Sequence, residues 1–257
     1  MNQDSIMAYE LPDRVRRYDS DMDIMHPLRR KMIEMALEIL PFGRQSKLRA
    51  LDLGVGTGLF SQRFLENYYR ASIVAVDGAE SMIDLARFRL GDLCNRVEFV
   101  VADFRALPKS ILNTGEYDVV LSSYALHHLS AKEKCRVVRS VISALKPHGW
   151  FINADIFVAE NSIVEERFQQ LRIQGVVARA PEGDERFNTA ETARAFLDRL
   201  EADENDQPQT LAADIAILSD SGLNGTEVFW KEYREAVIGG PKGPMPPNQR
   251  MQRTSDR

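Results

Sequence analysis

Asp52-Leu53-Gly54-Val55-Gly56-Thr57-Gly58 is the stretch whose residue types and spacing most directly imply chemistry. Three alternating glycines follow an apolar lead-in, Leu48 to Leu51, and a helical pattern begins near Leu59. Strand, glycine turn and helix N-terminus in that order bring backbone N–H groups up to a nucleotide-like ligand. Glycine lets backbone come close because it lacks Cβ and accepts positive φ. A dinucleotide fingerprint, G-x-G-x-x-G, needs glycine at position 59, where this chain has Leu59. Carboxylates recur at the ends of later apolar runs: Asp77, 19 residues after Gly58, and Asp103. Two adjacent imidazoles, His127 and His128, have the near-neutral pKa that suits a general base, although packing alone also accounts for them.

These residues need a scaffold, and the hydrophobic pattern supplies one. Residues 27–40 carry a helical stripe with Pro27 at its start. Strands are expected at 48–53, 71–77, 97–101, 117–123 and 150–154, each a short apolar run of the kind that forms buried parallel strands. Helices alternate with them. One follows the glycine turn with Phe60, Phe64, Leu65 and Tyr68. One is opened by Ser81 with Asp84. One is opened by the capping box Ser130 to Glu133 and stopped by Pro147 and Gly149. Such alternation implies right-handed crossovers and a sheet covered on both faces. Residues 156–221 break the rhythm with about three helical patterns. Strand candidates 225–230 and 233–238 are separated by only Lys231 and Glu232, which permits only an antiparallel pair. The expected fold is α/β, Rossmann-like and doubly wound, with a mostly parallel seven-stranded sheet ending in an antiparallel hairpin and a helical cap insertion. Asp52, Asp77 and Asp103 then share the carboxyl edge of the sheet, where open α/β sheets bind ligands.

The glycine turn with its leading Asp52, the acids at Asp77 and Asp103, and the terminal hairpin together resemble the class I S-adenosylmethionine-dependent methyltransferases, over roughly residues 45–155 and 215–243. The resemblance implies S-adenosylmethionine as cofactor, held by Asp52, Gly54, Gly56, Gly58, Asp77, Gly78, Met82, Asp103, Phe104, Ser122 and Tyr18. It places the ribose hydroxyls on Asp77, the adenine against Met82 and near Asp103 and Phe104, and the methionine end on the loop from Ser122 to Leu129. It also places Tyr18 in a segment folded over the cofactor. Asp52 either meets the ligand's ammonium or holds the loop. His127, His128 and Tyr18 are weak catalytic candidates, and Leu145-Lys146-Pro147-His148-Gly149 is similar to the family's structural turn, with His148 in place of a glycine. Phe157 to Arg167 and Ser221 to Lys231 also resemble carboxy-S-adenosylmethionine synthases. Those enzymes place an Arg where this chain has Ile217. A non-catalytic S-adenosylmethionine-binding module is a further alternative, and an NAD-dependent dehydrogenase, disfavoured by Leu59, is another.

Composition bounds the rest. The chain has 257 residues, 44% of them apolar, and a net charge of −5. That balance disfavours a nucleic-acid partner, whose phosphates favour a basic face. The clusters Arg14, Arg16, Arg17 and Arg29, Arg30, Lys31 read as solvated helix faces. Residues 155–215 hold 14 acidic and 6 basic residues, read as a solvated acidic surface. Cys94 and Cys135 show neither metal-ligand nor disulfide spacing, so no metal is expected. No apolar run approaches ~18 residues, and the N-terminus has no apolar signal core, so the expectation is a cytoplasmic protein without a membrane partner. The expected organisation is an N-terminal helical segment over the cofactor site (1–44), a core (45–155 and 215–243), a helical cap (156–214) and a disordered tail (244–257). The expected activity is methyl transfer from S-adenosylmethionine to a small-molecule acceptor, with a homodimer left open.

Overall fold

The computed structural model describes residues 3–113 and 115–243; the tail expected at 244–257 lies outside the described residues. Seven strands form one sheet: β1 (Arg49–Leu53), β2 (Ser72–Asp77), β3 (Val97–Val101), β4 (Tyr117–Ser123), β5 (Leu145–Ile156), β6 (Glu227–Glu232) and β7 (Glu235–Pro241). Their order is β3-β2-β1-β4-β5-β7-β6. The first five are parallel, and β7 runs antiparallel to both β5 and β6. This is the architecture that the alternating pattern predicts. Strand order reverses beside β1, so the carboxyl ends of β1 and β4 diverge and leave a crevice.

Side-chain alternation divides the core in two. Ala50, Val119, Leu121, Ile152 and Ala154 face one layer. Leu51, Leu53, Val120 and Phe151 face the other. The first layer is covered by α3 (Arg29–Glu38), α4 (Leu59–Asn67) and α5 (Glu80–Leu90), through residues such as Met32, Phe64 and Ile83. The second is covered by α6 (Ala131–Ala144) and α9 (Leu211–Asp220), through Val138, Val141 and Leu218. The Ser130–Glu133 capping box is present, and α6 ends at Ala144.

Several boundaries differ from the sequence pattern. The fifth strand runs from Leu145, because Leu145 pairs with Tyr117 across a bulge; Pro147 and Gly149 lie inside it instead of ending a helix. His148 has φ 65°, a conformation that suits the turn. The hairpin turns at Tyr233 and Arg234, with Tyr233 at φ 48°. Ser81 does not cap its helix: Ala79 is the N-cap, without a side-chain cap. Glu10 supplies the acceptor, taking the Glu80 N–H at 2.6 Å and also the Ser81 hydroxyl.

Residues before β1 fold as α1 (Gln3–Ala8), α2 (Pro12–Met25) and α3, and Tyr18 lies within α2. Between β5 and α9 lie α7 (Ser162–Arg179) and α8 (Ala190–Asp203). The 214/215 boundary drawn from the sequence falls inside α9, which packs on α6 as a sheet-covering helix.

Candidate functional site

The glycine turn is held open by its backbone. Gly54, Gly56 and Gly58 have φ of 71°, 52° and 81°, a region side chains disfavour. A Cβ on Gly54 would stand 2.5 Å from that of Ala125, so the turn and the loop after β4 close on each other only through glycine. Gly58 instead serves packing, since its Cβ would press on Ala86 of α5 at 3.1 Å. Gly56 faces open space, with the Tyr18 hydroxyl 3.9 Å from the Cβ position.

A cleft of about 680 Å³, open mouth included, lies at this turn. Asp52, Gly54, Gly56, Asp77, Gly78, Met82, Phe104, Tyr18 and His128 all line it. Asp77 is pinned from both sides: Oδ2 accepts the Gly56 N–H at 2.8 Å and Oδ1 the Ala79 N–H at 3.0 Å. Burial pushes its pKa up, against those amides. Asp52 is fully buried and accepts the Ser61 hydroxyl at 2.6 Å. Burial raises its pKa to about 7, with Ser61 opposing and the Asp77 charge adding. Of the two roles open to Asp52, holding the loop has this visible partner.

Gly58, Ser122, Asp103 and His127 are not among the residues lining this cleft. Ser122 is buried, its hydroxyl on the Leu53 carbonyl at 3.3 Å; one residue on, alternation brings Ser123 to the cleft instead. Asp103 caps a short turn and is gripped by its neighbour Arg105, whose Nε stands 2.9 and 3.0 Å from the two carboxylate oxygens.

Other lining residues escape the sequence reading. Arg29 is only 7% exposed; it donates to Asp19 at 3.1 Å and to Thr57 at 3.3 Å. It is therefore not on a solvated face. Its signal was its position three and four residues before Met32 and Ile33, on the apolar stripe. Tyr9 and Met22 also line the cleft, as do Thr57 of the glycine turn and Ser123 and Tyr124, at and just after the end of β4. Tyr124 follows β4 at φ 49°, unusual for an aromatic residue, with its buried hydroxyl on Glu235 at 2.8 Å.

A second cavity adjoins the first, and Tyr9, Tyr18, Met22 and Tyr124 line both. Its walls are charged: Arg14, His26, His127, Arg172, Glu201, Glu204 and Asp206. Glu204 accepts from Arg14 at 2.6 Å, and Glu201 pairs with Arg172. These acids and Asp214, bound to Lys134 at 2.8 Å, are buried or half-buried partners, so the acidic balance of this region is not all solvated surface. His127 Nδ1 lies 2.6 Å from Asp155 Oδ1. Burial alone would lower the His127 pKa, but the Asp155 and Asp206 carboxylates raise it to about 10. His128 meets the Tyr9 hydroxyl through Nε2 at 3.1 Å.

Residues 50–149 match the family described as "Methyltransferase domain". A malonyl-[acyl-carrier protein] O-methyltransferase of Acetivibrio thermocellus is 29% identical over 133 residues, 52% of this chain and 44% of that one. A carboxy-S-adenosyl-L-methionine synthase of Nautilia profundicola is 19% identical over 219 residues, 83% of this chain and 86% of that one. The structure of an O-methyltransferase family protein from Burkholderia thailandensis superposes with a TM-score of 0.64 at 19% identity, covering 91% of this chain and 61% of the other. The chain spans about half the length of the first curated relatives it matches. Across residues 50–149, then, this chain matches a methyltransferase domain, on a fold shared with solved methyltransferase structures.

Proposed function

We propose that the protein transfers a methyl group from S-adenosylmethionine to a small-molecule acceptor. The observation that carries this reading is that the two cavities adjoin at Tyr9, Tyr18, Met22 and Tyr124, which line both. One cavity is built on the glycine turn and strand ends, and the other is walled by α2, α7 and α8.

The residues present fit the cofactor. The Cβ position of Gly56 is open, leaving backbone approachable. Asp77 keeps free lone pairs on oxygens that each accept one amide, enough to receive ribose hydroxyls. Met82 and Phe104 offer apolar surface to an adenine, and Arg29 is a buried cation suited to a carboxylate. Bound S-adenosylmethionine supplies a methyl group already activated on a sulfonium. The chain's own work is to align the acceptor and exclude water. Tyr9 and Tyr18, brought to the cleft by the N-terminal helices, form part of its wall. Tyr124 lines both cavities, and His128 lines the first beside His127 of the second. His127, with Asp155 on its far nitrogen, faces the acceptor side.

Mixed charges on the second cavity favour a small polar acceptor carrying charged groups, and the acidic balance of residues 155–215 disfavours polyanions such as RNA. Calorimetry against S-adenosylmethionine and NAD, followed by a screen of small metabolites with isotopically labelled methyl donor, tests the proposal. Binding of S-adenosylmethionine with label appearing in a low-mass product supports it. A folded protein that binds neither, or NAD alone, overturns it.

Ile217, which stands where carboxy-S-adenosylmethionine synthases place an Arg, lies on α9 and packs against the core beneath the sheet. It is not among the residues lining either cavity, so this position does not reach the candidate site.

A further inference from the structure

The geometry points to a binding site for one divalent transition-metal ion of the zinc class, formed by His127 Nε2, His128 Nδ1 and Asp206 Oδ1. These three atoms all lie within 4.8 Å of one another. Asp206 Oδ1 stands 2.8 Å from His128 Nδ1 and 3.5 Å from His127 Nε2. Tetrahedral ligands at about 2.0–2.1 Å from an ion stand roughly 3.3 Å apart, so a small opening of the cluster admits one.

Two further observations point to a cation. His128 Nδ1 and Asp206 Oδ1 are buried, and neither has an aligned hydrogen-bond partner although they face each other. Buried polar atoms left without partners are uncommon and require an explanation. The surroundings also orient the donors. Asp155 Oδ1 takes His127 Nδ1 at 2.6 Å, and its Oδ2 accepts the His127 backbone N–H at 3.1 Å. A carboxylate on the far nitrogen fixes the ring with Nε2 toward Asp206, and an ion binding there would displace the Nε2 proton, the usual arrangement behind a metal-bound histidine. The Tyr9 hydroxyl stands in the same relation to His128, 3.1 Å from Nε2.

Two imidazoles and one carboxylate suit zinc, and three protein ligands leave a fourth position open. His128 lines the glycine-turn cleft while His127 and Asp206 line the second cavity, so the ion would sit at their boundary. The site rests on side-chain geometry and stands apart from the proposed transfer. If that transfer holds, a hydroxyl or thiol on the open position would lose its proton more readily.

Full-length protein freed of metal by a chelator is titrated with Zn²⁺ and, separately, Co²⁺. The expected result is one ion per chain, with the intense visible absorption of tetrahedral Co²⁺. Asp206→Asn and His128→Gln each weaken Zn²⁺ binding by about tenfold or more. His148→Asn, at a positive-φ position that Asn tolerates, leaves binding unchanged. Wild-type binding no tighter than that of both folded variants overturns the site. Should a variant fail to fold, X-ray absorption of zinc-loaded wild type decides. Imidazole and oxygen ligands at about 2.0–2.1 Å support the site, and sulfur at about 2.3 Å or an all-water shell overturns it.

Discussion

The Asp77 carboxylate and the Gly56 amide are joined at 2.8 Å, which ties the end of β2 to the glycine turn after β1. The other oxygen of Asp77 holds Ala79 at the entry to α5. One side chain therefore spans the floor of the cleft, and it shapes the site as well as offering oxygens to a ligand.

Asp77→Ala should thus weaken S-adenosylmethionine binding and also lower the melting temperature of the ligand-free protein. Two backbone amides lose their acceptor, each at a cost of about 1–3 kcal/mol where water cannot replace it. Calorimetry and thermal unfolding check both effects. An unchanged melting temperature would mean that the turn holds without Asp77.

Asp52 makes ligand-free stability depend on pH. Its folded pKa of about 7 lies above that of an exposed carboxylate, roughly 3.9. A raised folded pKa contributes stability that is complete below the unfolded value and is lost as pH rises through the folded one. Between about pH 4 and pH 7 the unfolded chain ionises this group while the folded protein resists, so stability falls. Asp52→Asn keeps an acceptor for Ser61 and removes the ionisation. The melting temperature of the variant relative to wild type should rise from pH 4 to pH 8. A difference independent of pH would show that Asp52 does not titrate in this window.

Which features could be read from sequence follows from how locally they are encoded. Buried parallel strands are apolar runs, and tight turns need glycine, so β1 to β4 and the Gly54–Gly58 turn stand out from neighbouring residues alone. Arg29 and Arg14 look like solvated cations because periodicity places a residue on a helix face without showing what covers that face. Asp206 meets His127 and His128 across 79 and 78 positions of chain, a pairing that only tertiary folding creates. Ser122 turns its side chain into the core while Ser123 lines the cleft, since alternation in β4 turns neighbouring side chains to opposite faces. Asp103 sits at the expected strand end, yet its orientation is set by Arg105, two residues on.

Arg29→Met should reduce S-adenosylmethionine affinity at least about tenfold, the equivalent of one lost charge-assisted hydrogen bond. The substitution keeps the length and apolar stem of the side chain, so the fold should survive. Asp19 retains Arg89 as a partner, which limits damage elsewhere. Titration calorimetry on the folded variant measures the change. Wild-type affinity would place the ligand's carboxylate away from Arg29.

Arg14 and Glu204 bind the N-terminal segment to the end of α8 above the second cavity, with side chains only 11% and 8% exposed. Breaking one partner strands a buried charge, whereas replacing both with apolar residues of similar size need not. Glu204→Met alone should therefore destabilise the protein by about 3–5 kcal/mol, and Arg14→Met alone by a similar amount. The double variant should recover most of the loss. Burial pressing on the Arg14 guanidinium does not alter this, because its pKa is raised by Glu204 and the group stays charged at every working pH. Denaturant unfolding of the three variants gives the coupling directly. Additive losses in the double variant would mean that the pair is solvated enough to contribute little, and that apolar packing of Met22, Met25 and Leu197 holds the two segments together instead.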